Sequence, residues 1–164
     1  MHEVQSGQER VDYTGAVYGS LLAASVVAGT TPGKDPTPGV IVSVLILATG
    51  LVFWFAHVYA RLVGERRYGE RLTWAHTRRV GRAERPLAEA ALPPALVAVL
   101  CWAFGVSDTT TGWLTLVTAL AGQVVWATVA GVRANIGLHL VVASAVGNLL
   151  IGMMIVVLKV ALTH

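Results

Sequence analysis

Ionisable and amide side chains are scarce in the apolar stretches of this sequence, so the few that stand there are the ones whose chemistry matters. They are His57, Glu89, Gln123, His139 and Asn148, with Arg61 and Arg133 at the edges of such stretches. A group of this kind in an apolar surrounding costs roughly 3 kcal/mol unless it is paired or lines water. Histidine changes charge near physiological pH, and a carboxylate nearby favours its charged form. Trp54, His57 and Arg61 follow an i, i+3, i+7 spacing that puts them on one helix face. An indole one turn from an imidazole can close a passage sterically or hold the protonated ring by a cation–π contact. His57, Trp54, Phe53, Glu89 and His139 are therefore the candidate pore, gating or proton-handling residues.

Each of these residues also has a structural alternative. A polar layer can simply fix helix register, its arginines reaching out to phosphates, and Glu89 stands near a helix start where the helix dipole favours an acid. Gln123 and Asn148 fall mid-stretch, where interhelical amide hydrogen bonds are worth about 0.6 to 2 kcal/mol. These two and Arg133 are assigned to polar packing. His57, Glu89 and His139 would make three ligands for a zinc ion, but the sequence holds no His-Glu-x-x-His signature, and neither metal nor cofactor is expected. No glycine-rich phosphate loop follows a strand pattern, and Ser20, Ser25, Ser43 and Ser144 lack a nucleophile-elbow context. An enzyme is thus not the favoured reading. Cys101 stands alone, which excludes an intrachain disulfide and reads as a small buried apolar residue.

The elements that must position these side chains are membrane helices. Of 164 residues, 55% are hydrophobic and 13% charged, against about 25% charged in a soluble domain. At about 20 apolar residues per crossing, the pattern predicts an all-α bundle with spans at about 13–30, 39–63, 86–105, 112–131 and 137–162. Residues 1–12 form a short tail, and residues 13–164 a single transmembrane domain with a basic loop at 64–85. The first span is rich in Gly, Ala and Ser, and Gly15, Gly19 and Ala23 have the small-xxx-small spacing of closely approaching helices. Two further stripes repeat that spacing: Ala119, Gln123, Ala127 and Gly131 in the fourth span, and Ser144, Asn148 and Gly152 in the fifth. Pro93 and Pro94 should kink or split the third span, and a four-span chain with this segment re-entrant is the alternative. Asp108 or a threonine of 109–111 is expected to cap the fourth.

Charge orients the chain. Eight of the twelve cations lie between Arg61 and Arg85, and the positive-inside rule places that loop and the N-terminus in the cytoplasm. The loop reads as an interfacial helix anchored by Trp74, whose Arg66, Arg67, Arg78, Arg79 and Arg82 are candidates for binding anionic lipid or a cytoplasmic protein. Nucleic acid is not an expected partner. In this topology His57, Glu89 and His139 share a depth near the cytoplasmic leaflet, with Arg61 one turn beyond. With little mass outside the membrane, two functions remain in view. One is an oligomeric channel or transporter for protons or small cations; the other is a non-conducting accessory subunit that docks through its basic loop. Five spans show no inverted repeat, so a central pathway would come from several copies around an axis. The Arg-over-Lys preference suggests a bacterial inner membrane.

Overall fold

The computed structural model describes residues 14–30, 36–64, 73–134 and 137–163. It is helical, with no strand among the described residues: α1 (Thr14–Thr30), α2 (Gly39–Gly64), α3 (Trp74–Ala83), α4 (Arg85–Glu89), α5 (Leu92–Ala103), α6 (Asp108–Arg133) and α7 (Leu138–Thr163). Four stretches are long and apolar enough to cross a membrane, namely Gly39–Gly64, Arg85–Ala103, Asp108–Arg133 and Leu138–Leu158, and α1 is a shorter apolar helix. The chain has the build of an integral membrane helical bundle. At about 1.5 Å per residue, the 26 residues of α2 reach about 39 Å, enough to cross the hydrocarbon with a turn or two to spare.

The third apolar stretch is split, and the split sits three residues ahead of the prolines. Helix α4 ends at Glu89, the chain turns through Ala90 and Ala91, and α5 restarts with its prolines in the first turn. First-turn residues have no intrahelical acceptor for their amides, so the missing N–H groups cost nothing there. Ala95 N–H resumes the ladder by donating to Ala91 O at 3.2 Å.

Helix α1 lies at the centre, packed on α2, α4, α6 and α7. Its buried positions form two adjacent rows, Gly15, Gly19, Ala23, Val27 and Ala16, Ser20, Ala24, Ala28. The small side chains bring backbone to backbone. A Cβ on Gly19 would stand 2.2 Å from the Leu87 carbonyl oxygen, and one on Gly15 3.4 Å from Leu87 Cβ. Gly39 and Gly50 of α2 meet α5 and the turn before it with similar closeness, at Ala98 O and Ala91 Cβ. The apolar core then fills the middle of the bundle with Ala23, Ala24, Val27, Val42, Ile46, Ala91, Ala95, Ala98, Leu116 and Ala119.

The expected cap of α6 needs correcting. Ser107 is the N-cap, its hydroxyl accepting from Thr110 N–H at 3.3 Å. Asp108 reaches across instead and accepts from Gly39 N–H, the first residue of α2, at 3.2 Å. One acid thereby serves two helix starts, since it also occupies the first turn of α6. Helix α5 ends where Gly105 takes φ +69°, a left-handed turn that glycine adopts at low cost.

Candidate functional site

At the end of the bundle where α1 begins and α2 ends, ionisable groups gather inside the packing. A crevice of about 330 Å³ is lined by Thr14, Gly15, Tyr18, His57, Arg61 and Glu84. Arg61 Nη1 donates to Glu84 Oε1 at 2.7 Å, and the Glu84 side chain is only 8% exposed against 41% for Arg61. A carboxylate this buried needs its cation, because stripping water from one charge costs several kcal/mol if it stays unpaired. Glu84 also joins two elements, being the C-cap of α3 and the N-cap of α4.

His57 is half-buried one turn before Arg61. Its ring lies against Tyr18 of α1, centroids 5.5 Å apart and tilted by 43°. Phe53 meets the same tyrosine edge-on at 6.2 Å. Tyr18 is thus laid across one face of α2, touching positions 53 and 57. It also forms part of the wall of a second, larger and more apolar groove of about 550 Å³ between α1, α6 and α7, where Asn148 and Ser144 are among the polar lining.

The polar layer expected from depth alone is redistributed by azimuth. Glu89 does not line the crevice; it is 48% exposed and reaches back to Arg85 at 3.6 Å within its own helix. His139 stands exposed in the first turn of α7, its ring folded over Gly137, whose Cβ would meet His139 Cε1 at 2.7 Å. The carboxylate that shares the crevice with His57 and Arg61 is Glu84, which sits in the basic segment read above as an interfacial helix. Trp54 shares the face of His57 but is turned to α3, its indole Nε1 donating to Gly81 O at 3.0 Å. Among the described residues no three His, Cys, Asp or Glu side chains gather closely enough to hold a metal ion.

The mid-bundle amides do meet. Gln123, fully buried, donates from Nε2 to Asn148 O at 2.8 Å and to Asn148 Oδ1 at 3.2 Å, while Asn148 Nδ2 donates to Ser144 O at 3.0 Å. Gly152 leaves the room for this, since a Cβ there would stand 3.3 Å from Gln123 Oε1 and 2.8 Å from Leu120 Cδ2. The two small-residue stripes of α6 and α7 therefore lie face to face around one amide pair. Gln123 Oε1 and Thr111 Oγ1 are buried without a hydrogen-bond partner.

Of the basic residues, Arg66 and Arg67 lie outside the described residues. Arg78, Arg79 and Arg82 are exposed on α3. Arg133 occupies the last turn of α6, where a cation meets the carbonyl end of the helix dipole. No protein-family model, curated protein or solved structure matches the chain. The chemistry must therefore be read from the site itself.

The site combines a titratable imidazole, a phenol and a charge-assisted carboxylate–guanidinium pair in one recess. Groups of this kind can take up and release a proton, or hold a small ion at the recess mouth, without leaving a charge bare in apolar surroundings. Between this recess and the far end, where Ser43, Thr111 and Thr115 are buried, the apolar core closes the axis of the bundle.

Proposed function

We propose that this chain is a membrane subunit that conducts or transports a small ion, protons or cations first, with the crevice of His57, Tyr18, Arg61 and Glu84 as its pH-responsive element. The observation that carries the reading is the burial of the Glu84 carboxylate against Arg61 beside His57, in a chain with four apolar stretches long enough to span. Inside a membrane such groups are expected to serve ions or protons, because apolar packing would be cheaper for stability alone. In this reading the crevice faces the cytoplasm, the side that the clustering of cations favours.

The path itself follows from the closed core. Because Ala23, Ala24, Val27, Ile46, Leu116 and Ala119 fill the axis of one chain, conduction requires either several copies around a common axis or an opening of α1 from α6. Helix α7 supplies a surface for such copies, since only 11% of its apolar window is buried. Glu89, His139, Phe53 and Trp54 take secondary parts here, Phe53 as a support for Tyr18 and Trp54 as a tether for α3.

The test is flux in proteoliposomes of the purified chain, with a proton dye and a potassium gradient, at neutral and mildly acidic pH. Wild-type flux above empty vesicles, with its pH dependence altered in His57→Ala and Glu84→Gln, is the expected result. Absence of flux from folded, inserted protein at both pH values overturns the reading and leaves the accessory-subunit function, which the exposed arginines of α3 favour.

A further inference from the structure

Helix α3 presents a face that the ion pathway does not use. Its ten residues are capped by Thr73, which accepts from His76 N–H at 3.4 Å, and only Val80 is fully buried. Trp74, Arg78 and Arg82 recur at i, i+4 and i+8, and Ala75 and Arg79 lie beside them; all five are exposed, Trp74 to 79%. On a helix these positions cover one continuous face. The segment Thr73–Ala83 contains no acid, and among the described residues no carboxylate pairs with Arg78, Arg79 or Arg82.

The opposite face is pinned to α2 at two points two turns apart. Trp54 Nε1 holds Gly81 O, and Arg61 holds Glu84, the residue that closes α3. Trp54 lies 15 residues into α2, about 22 Å along its axis at 1.5 Å per residue. With a hydrocarbon layer of about 30 Å starting near Gly39, this contact falls roughly 8 Å inside the far boundary. On that placement the side of α3 that packs on α2 lies at the depth of about 5 to 10 Å to which an interfacial helix buries its inner face, with its outer face toward the headgroups.

We propose that the Trp74, Arg78, Arg79 and Arg82 face binds the headgroups of anionic phospholipid, the guanidinium forks engaging phosphodiester oxygens and the indole lying at headgroup level. Charge complementarity selects the lipid: three arginines, no acid, and an exposed tryptophan beside them. The two contacts with α2 hold this face beside the end of a membrane-length helix, which favours a lipid headgroup over a soluble protein as its occupant. The assignment rests on α3 and its two contacts with α2, and holds whether or not the chain conducts ions.

The experiment is native mass spectrometry of the full-length, detergent-solubilised chain with an equimolar mixture of dioleoyl phosphatidylglycerol and dioleoyl phosphatidylcholine. Each arginine near a lipid surface contributes about fivefold in affinity, so wild type should retain phosphatidylglycerol in preference by about tenfold or more. The variant Arg78→Gln/Arg79→Gln/Arg82→Gln should fall to within about twofold of no preference, and the corresponding triple Lys variant should keep most of it. Added salt should weaken the wild-type preference. An unchanged preference in the Gln variant overturns the proposal. So does loss of a co-purifying acidic protein from that variant while its lipid preference stays intact. Ion flux is not the readout, so failure here is distinct from failure of the transport reading.

Discussion

Gly19→Ala probes the tightest glycine contact among the described residues. The added methyl would stand 2.2 Å from the Leu87 carbonyl oxygen, where an unstrained carbon–oxygen contact is about 3.3 Å. Helices α1 and α4 must therefore separate by about 1 Å, and the obstacle is backbone, which cannot rotate aside as a side chain would. Overpacking of this kind costs about 1 to 3 kcal/mol, and a rigid carbonyl argues for the upper end. Alanine returns about 1 kcal/mol of helix propensity, leaving a net loss of about 2 kcal/mol, or roughly thirtyfold in the unfolding equilibrium. Gly147→Ala in α7 is the matched control, since a Cβ there meets nothing within 4 Å. Reversible unfolding in mixed micelles, followed by tryptophan fluorescence, measures both variants. The control should be neutral or slightly stabilised. If Gly19→Ala is as stable as Gly147→Ala, the α1–α4 backbone contact does not exist and the crevice built on it loses its wall.

Three further outcomes are expected. Glu84→Gln should destabilise by about 2 kcal/mol in the same unfolding assay, a value below the usual cost of breaking a buried pair because Arg61 is partly solvated; Glu89→Gln, at an exposed i, i+4 pair, should stay within about 0.5 kcal/mol of wild type. Gln123→Met removes hydrogen bonds to Asn148 worth about 0.6 to 2 kcal/mol but also a buried oxygen without a partner, whose relief is worth about 1 to 3 kcal/mol; the middle of the two ranges leaves the variant about as stable as wild type or more stable by about 1 kcal/mol, checked by the same unfolding curve. Trp54→Phe deletes the indole donor to Gly81 O, and limited trypsinolysis should then cut at Arg78, Arg79 or Arg82 several times faster while the spans stay protected.

What was legible in the sequence was position along each helix; what was hidden was direction around it. Apolar length marked the long helices, four of them able to cross a membrane and α1 a shorter one, and the spacing of Gly15, Gly19 and Ala23 marked α1 as a packing helix, because both signals are local. The stripes of α6 and α7 were each readable from their repeat at intervals of four, but that they face one another around Gln123 and Asn148 was not. Glu84 escaped because it sits in a run of alternating charges, and only the fold shows that the turn between α3 and α4 carries it under Arg61. Glu89, in an apolar run and at the expected depth, looked the better partner, yet it lies on the outward side of α4. Tyr18 gave no signal at all, its role arising from contact between α1 and α2. The same reasoning explains Asp108, a fitting cap by sequence that serves a neighbour's N-terminus instead.

The central position of α1 has a consequence for how the molecule is made. A helix of glycine, alanine and serine gains little from lipid by itself, and most of its stabilising surface is the close contact with α4 and α6. Those partners are translated some 55 to 120 residues later. Until they arrive, α1 lacks the helix contacts that hold it in the finished bundle, so its final packing waits on theirs. The docking of the middle helix is therefore a late event of assembly, and the crevice between α1, α2 and Glu84 closes only then.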